Sequence, residues 1–292
     1  SGLTLACTRC QAGSAFFGRL RVPATGKANT VGHSLMNIDT IYNEDCFETF
    51  SRIADKSIDL IFADPWYYPE NTKTKNAFED EAFWSITKRW LLECERVIKK
   101  DGHLFVSFSS QKMAKFEFLL AELQLPLRSR IVWHYRNAGG RCADKGQFGK
   151  TYEMIYHIGF GDTLNFPEKW GDERFDVWTI AIPQSNFTDK KIHPFQKPIA
   201  LLERIVSIGS KEGDIVLDPF MGSGTTAKAC SNLNRHYLGS EKDKSHFQNA
   251  LQRLNNAQQS VHLTASGAGG LGEIPLQSSF IADDPSAKHG GR

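Results

Sequence analysis

An α/β fold built on an open, doubly wound sheet is what this sequence predicts, on three observations. Short apolar runs alternate with amphipathic segments along most of the chain, as strands and crossover helices do. Two of those runs end on an aspartate followed by a proline, and one leads through glycines into a helix, as ligand loops at the carboxyl edge of such a sheet do. Finally, 292 residues at 40% hydrophobic content suffice for one sizeable core plus an inserted element or small second lobe.

Residues 1–35 contain no Asp or Glu and no sustained periodicity, so a disordered extension is expected. An acid-poor start containing arginine is also the composition of an organelle transit peptide. Thr40–Tyr42 then reads as a first strand. Further strands are expected at Ile58–Ala63, His103–Phe108, Arg130–His134, Asp214–Leu217 and Arg235–Gly239. Apolar residues recur at helical spacing from Phe83 to Lys99 (Ile86, Trp90, Leu91, Cys94, Val97, Ile98), and further helices are expected over Gln111–Leu123, Lys197–Ser210 and Thr225–Leu233. The stretch from Arg136 to Lys191 is rich in Gly, aromatic and polar residues and breaks the alternation, so it reads as an insert. Residues 259–292 hold six glycines among Ser, Ala and Pro, a composition that buries too little to offset its ordering entropy, and a disordered tail is expected.

Composition excludes several classes. No run approaches the eighteen apolar residues of a membrane span, and the start lacks a secretory signal pattern, so a cytoplasmic protein with no membrane partner is expected. Of six cysteines, only Cys7 and Cys10 have ligand-like spacing, without a second pair to complete a zinc site, so reduced thiols and no metal are expected. The net charge of +2 announces no polyanionic partner, but charge distribution is more informative. Arg128, Arg130, Arg136, Arg141, Lys145 and Lys150 form a stripe with His134 in which Asp144 is the only acid. Such a stripe is either a solvated face or a nucleic-acid contact.

Two loops carry chemistry. The run Ile58–Ala63 is followed by Asp64-Pro65-Trp66-Tyr67, which puts a carboxylate, a proline carbonyl and aromatic rings past a strand's end. An exocyclic base amine is a poor nucleophile because its lone pair is delocalised into the ring. Asp64 and the Pro65 carbonyl can hold its hydrogens out of the ring plane, and Tyr67 can stack on a base that has left the duplex. The same four residues also suit a turn with aromatics packed on the core. After Ile215–Leu217 comes Asp218-Pro219-Phe220-Met221-Gly222-Ser223-Gly224-Thr225-Thr226, a glycine turn that lets backbone and helix N-terminal amides approach an anionic ligand group. Glu241, at the end of the next strand, can accept hydrogen bonds from ribose hydroxyls. Gly222-x-Gly224-x-x-Ala227 equally fits the looser dinucleotide fingerprint.

At these residues the sequence resembles the permuted β class of amino-group DNA methyltransferases, over roughly Met36 to Asn256. Five signals fall in that family's order: Asp45-Cys46, Asp64-Pro65-Trp66-Tyr67, the variable insert, His193-Pro194-Phe195-Gln196-Lys197-Pro198, and the Asp218–Thr226 loop. The resemblance implies a seven-stranded, Rossmann-like S-adenosylmethionine-dependent methyltransferase sheet, circularly permuted so that the catalytic loop precedes the cofactor loop. It implies a catalytic half at 36–135, a target-recognition insert at 136–191 and a cofactor-binding half at 192–258. Asp64, Pro65, Trp66 and Tyr67 are then the catalytic residues. Phe220, Gly222, Gly224 and Thr225, with Asp218 and Lys197, would hold the methionine part of S-adenosylmethionine, Glu241 its ribose and Asp45 its adenine amine. Asp45 can also simply cap a helix beginning near Phe47, His193 can be a packed loop histidine, and Lys197 a solvated residue at a helix start.

Two positions depart from many members, Trp66 where a second proline is common and Phe195 where threonine is common. The leading Asp of the tetrapeptide leans toward adenine. The implied function is site-specific methyl transfer to N6 of adenine in double-stranded DNA, with Arg136, Arg141 and Lys145 as DNA contacts. A homodimer and a cognate restriction endonuclease are further partners open to such an enzyme. N4 of cytosine as target, a catalytically inactive DNA-binding relative, and a nicotinamide dehydrogenase are the rival readings. Cys46 and Cys142 lack a recognisable His partner, which leaves a cysteine-dependent attack without support.

Overall fold

The computed structural model describes residues 37–66, 77–135, 137, 148–162, 164–166, 174–184 and 195–266. The expected extension, Cys7, Cys10, Tyr67, Arg136, Arg141, Cys142, Lys145 and His193 lie outside the described residues. The strands are β1 (Thr40–Tyr42), β2 (Ile58–Ala63), β3 (Ile98–Phe108), β4 (Leu127–His134), β5 (Tyr152–Gly159), β6 (Val177–Thr179), β7 (Ile215–Asp218) and β8 (His236–Ser240). The helices are α1 (Cys46–Arg52), α2 (Ala77–Val97), α3 (Met113–Glu122), α4 (Ile199–Gly209), α5 (Thr225–Asn232) and α6 (Lys244–Ser266).

All eight strands form one sheet in the order β1-β8-β7-β2-β3-β5-β4-β6. β1, β8, β7, β2 and β3 run parallel. β5 enters antiparallel between β3 and β4, and β6 lies parallel to β4 at the edge. The strand carrying the Asp64 loop therefore sits directly beside the strand carrying the glycine loop, although the two are far apart in sequence.

The sheet is covered on both faces, which is why its central strands read as near-continuous apolar runs. Successive residues of a strand point to opposite faces. Ile61, Leu104, Val106 and Phe108 pack with Phe50 of α1, Trp90 and Leu91 of α2 and Phe116 and Leu120 of α3. Leu60, Phe62, Phe105 and Val216 pack on the other side with Leu201, Leu202 and Ile205 of α4, Ala227 of α5 and Ala250 of α6. Among the described residues, no helix is long and apolar enough to cross a membrane.

The structure departs from the sequence-based expectations at four places, the first being Ile98 and Lys99, which are expected in a helix and open β3. β5, inside the stretch 136–191 set apart as an insert, is an inner strand of the sheet, buried from Met154 to Gly159. The sheet has an eighth strand, β6, where the resemblance implies seven. And α6 continues to Ser266, past the expected start of the tail at 259, because the first glycine after Lys244 is Gly267 and nothing before it breaks the hydrogen-bond ladder.

Candidate functional site

Parallel strands deliver their carboxyl ends to one edge, and the catalytic candidates gather there. Asp64 follows β2, Asp218 ends β7 and Glu241 follows β8. One cleft is lined by Asp64, Lys197, Asp218, Phe220, Ser223 and Thr225, among others. It thus joins the tetrapeptide, the hexapeptide before α4 and the glycine loop. Pro65 is buried, whereas Trp66 is 68% exposed beside it. Phe195, 72% exposed, also lines the cleft.

The glycine loop is shaped from within. The Asp218 carboxylate, only 2% exposed, accepts the Phe220 N–H at 2.9 Å and the Thr226 hydroxyl. Gly224 caps α5 with φ +75°, and a Cβ there would lie 3.0 Å from the Ala250 side chain, so a side chain is opposed by both conformation and space. Arg253 of α6, buried, donates to the Ser223 carbonyl at 3.1 Å and the Thr225 hydroxyl at 2.8 Å. Thr225 in turn donates to the Lys197 carbonyl at 3.3 Å. Phe220 packs edge-on against Trp90 at 5.6 Å between ring centroids.

Whether these residues suit S-adenosylmethionine can be judged from the loop's outer side. A Cβ on Gly222 (φ +53°) would meet nothing closer than a carbonyl at 3.9 Å, so that side is open for a ligand to approach the backbone. The Gly222 N–H donates to Glu241 Oε2 at 2.9 Å, which fixes an acid able to hold hydroxyls beside the loop. Open backbone for the amino-acid end and an acid for the ribose are what this group needs, and the site fits it.

Asp45 caps α1, its carboxylate accepting the Phe47 N–H at 3.1 Å and pairing with Lys242 at 3.1 Å. Burial works against its ionised form, but the amide and the ammonium outweigh it and hold the carboxyl below its ordinary range. The neighbouring Cys46 thiol is pushed up to about 12, by burial first and then by the Asp45 charge. It holds almost no thiolate at neutral pH, which argues against a cysteine nucleophile there.

Lys197 departs most from expectation. Its ammonium is buried between two carboxylates: Nζ lies 3.0 Å from Asp64 Oδ2 and 2.8 Å from Glu153 Oε2, on a side chain 9% exposed. Burial alone would discharge it, but the two carboxylates reverse that and raise its pKa above the ordinary lysine value. Sequence reasoning did not single out Glu153, because it belongs to the strand read as insert. Arg253 was likewise unsignalled, on a helix that was not expected.

The basic stripe divides. β4 runs parallel to β3, so Arg128 and Arg130 near its start stand at the edge opposite the cleft. Arg130 forms a two-pronged pair with Glu117 at 2.8 and 2.9 Å, and Arg128 binds the Gly159 carbonyl and Asp162. These two brace the fold. Lys150 and Phe148, both exposed, precede β5 at the cleft edge.

Asp218 carries a testable pH dependence. Burial pushes its carboxyl up to about 7, with Asp64 and Glu241 adding to the rise and the Thr226 and Phe220 hydrogen bonds opposing it. The folded state thus keeps a proton that the unfolded chain releases near its ordinary value of 3.8, so this group's contribution to stability falls as pH rises from about 4 to about 7. Asp218→Asn removes that loss. Its melting temperature relative to wild type is expected to rise between pH ~5 and ~8, by the equivalent of at most about 3 kcal/mol. A difference that is constant with pH in calorimetry would mean Asp218 is ionised throughout.

Comparison with known proteins agrees with this geometry. Residues 58–252 match the model of a family described as DNA methylase. The chain is 30% identical over 251 residues to the DNA adenine methyltransferase YhdJ of Escherichia coli (strain K12), covering 75% of this chain and 83% of the relative. It is 29% identical over 256 residues to the type II methyltransferase M.HinfI of Haemophilus influenzae, covering 74% of this chain and 68% of that one. Among solved structures, the M1.HpyAVI–SAM complex superposes with a TM-score of 0.59 at 28% identity, over 74% of this chain and 98% of that chain. The cytosine-N4-specific PvuII DNA methyltransferase shares the fold, with a TM-score of 0.63 at 16% identity over 73% of this chain and 84% of that one.

Proposed function

The chain belongs to the DNA methylase family, and from that premise we propose that it transfers a methyl group from S-adenosylmethionine to N6 of adenine in double-stranded DNA. The observation that carries the reading is the Asp64 carboxylate, anchored by Lys197 in the cleft that the glycine loop also lines. S-adenosylmethionine would supply, when bound, an electrophilic methyl carbon on a sulfonium sulfur that can leave as a neutral thioether, with the amine's proton passing to solvent.

The protein's part is position and polarisation. Asp64 and the Pro65 carbonyl accept hydrogen bonds from the amine and pull its lone pair out of conjugation, an interaction that strengthens as the C–N bond forms. Tyr67 and Trp66 offer rings for the flipped base, offsetting part of a few kcal/mol of unstacking. Phe220, Gly222, Gly224 and Thr225 hold the methionine part of the donor, with Asp218 shaping their loop, Glu241 holds the ribose, and Asp45 lies at the same edge for the adenine. On this reading residues 36–135 form the catalytic half and 192–258 the donor-binding half. Residues 136–191 serve target recognition, lend β5 to the sheet, and include Arg136, Arg141 and Lys145 as DNA contacts. The reaction needs DNA and S-adenosylmethionine together, which favours the cytoplasm. The name of YhdJ and the leading Asp support adenine.

The test is transfer of tritiated methyl groups to unmethylated genomic DNA, followed by digestion to nucleosides. Label in N6-methyladenine is expected. Label in N4-methylcytosine would correct the base, and DNA binding without label would leave an inactive relative.

A further inference from the structure

β5 runs against its neighbours, so its first residues stand at the carboxyl edge where Asp64 lies. Glu153 is in register with Trp133 of β4 there, and the Trp133 ring lies 5.6 Å from Lys197 Nζ. Glu153 Oε2 accepts from that ammonium at 2.8 Å and from the Ser107 hydroxyl at 3.5 Å. One ammonium thus spans two carboxylates, Asp64 from the loop after β2 and Glu153 from β5.

A lysine ammonium is a rotatable point charge on a flexible stem, and one carboxylate partner does not define its place. A second one does. Ion pairs this buried add little net stability, since desolvation offsets the attraction, so the pair is better explained by the orientation it imposes. We infer that Glu153 is a positioning residue for methyl transfer, holding Lys197 so that the ammonium presents Asp64 to the target amine in one orientation. This rests on the reading of Asp64 as the group that grips the amine. Tyr135, after β4, also feels the Lys197 charge, Asp218 lines the same cleft, and the Lys150 ammonium acts on Glu153. Tyr135 is pushed up to about 12, by burial first and then by the Glu153 charge, and remains neutral.

Glu153→Gln keeps the shape and an acceptor oxygen but removes the charge. With saturating S-adenosylmethionine and unmethylated genomic DNA, its kcat is expected to fall about a hundredfold, the cost of misplacing a reacting group by about 1 Å. Binding of S-adenosylmethionine, followed by calorimetry, is expected to stay within about twofold. A pH profile separates positioning from packing. With one of its two counter-charges gone, buried Lys197 loses its proton more easily, so kcat of the variant should begin to decline at a lower alkaline pH than that of wild type. Glu153→Asp, which keeps the charge, should remove that early decline while kcat stays below wild type. An unchanged kcat and an unchanged profile in Glu153→Gln, with Asp64→Ala inactive, would overturn the inference alone. Full activity in Asp64→Ala would overturn the reading of Asp64 and the inference with it.

Discussion

With Asp64 replaced by alanine, methyl incorporation into unmethylated genomic DNA is expected to fall by about 10² to 10³-fold, the usual cost of deleting one preorganised electrostatic contact at a reacting centre. The amine's hydrogens then lose the acceptor that draws them out of the ring plane, an interaction made mostly in the transition state, so the loss should appear in kcat rather than in KM. S-adenosylmethionine is expected to bind the variant within about threefold of wild type, because the glycine turn is shaped by Asp218, Thr226 and Arg253 and not by Asp64. The fold should hold, since Lys197 keeps Glu153 as partner at 2.8 Å. Equal losses of donor binding and rate would instead assign Asp64 to the donor site, and an unchanged rate would remove it from the chemistry.

How far the sequence disclosed this arrangement depends on where each polar residue finds its partner. β2 is expected and found at Ile58–Ala63, and β7 and β8 fall within a residue of their expected bounds, because strands buried on both faces are written in apolar residues. β5 is buried almost as deeply, yet Glu153 and His157 interrupt its apolar pattern. Glu153 is satisfied by Lys197, and His157 by His103 at 3.1 Å, both distant in the chain. Burial holds the His157 ring neutral, pushed down to about 3 with help from the His103 and Arg128 charges. No local pattern announces such partners, so the strand reads as part of an insert.

The loops behaved differently. Asp64, Asp218 and the glycines stand beside prolines and turn residues that mark strand ends by themselves, and they were legible. Lys197 was legible as a residue of the site but not in its pairing: nothing in the hexapeptide says that its side chain meets Asp64 and Glu153. Asp45 shows the reverse, since the helix cap readable from sequence is the contact the fold makes, at the same edge as Glu241.

Lys197→Met should be the costliest single change to stability at the site. Methionine matches the stem in length and flexibility, so the loss isolates the charge. Without it Asp64 and Glu153, 18% and 22% exposed in their side chains, face each other across a water-poor gap. Removing one partner of a buried pair costs about 3 kcal/mol, the low end being appropriate to carboxylates that keep some solvent. The sign of the pH dependence follows from Glu153. Burial works to raise its pKa, and Lys197, with Lys150 and Ser107, more than offsets this, so the folded carboxyl titrates below its ordinary value of 4.5. Stability from such a group is present above the unfolded pKa and is lost only as pH falls through the folded one. In the variant burial prevails, the carboxyl's pKa rises, and protonating it on going from pH ~8 to ~5 relieves the repulsion. The gap in melting temperature between wild type and Lys197→Met should therefore be widest near pH ~8 and narrow toward pH ~5. Adding Glu153→Gln to Lys197→Met should recover part of the stability at pH ~8, because one of two unpaired charges is gone, and the two changes should not be additive. Methyl transfer should stay lost in the double variant, since Asp64 still lacks the ammonium that orients it. A gap independent of pH would show that Lys197 stabilises the fold through its stem and not through the two carboxylates.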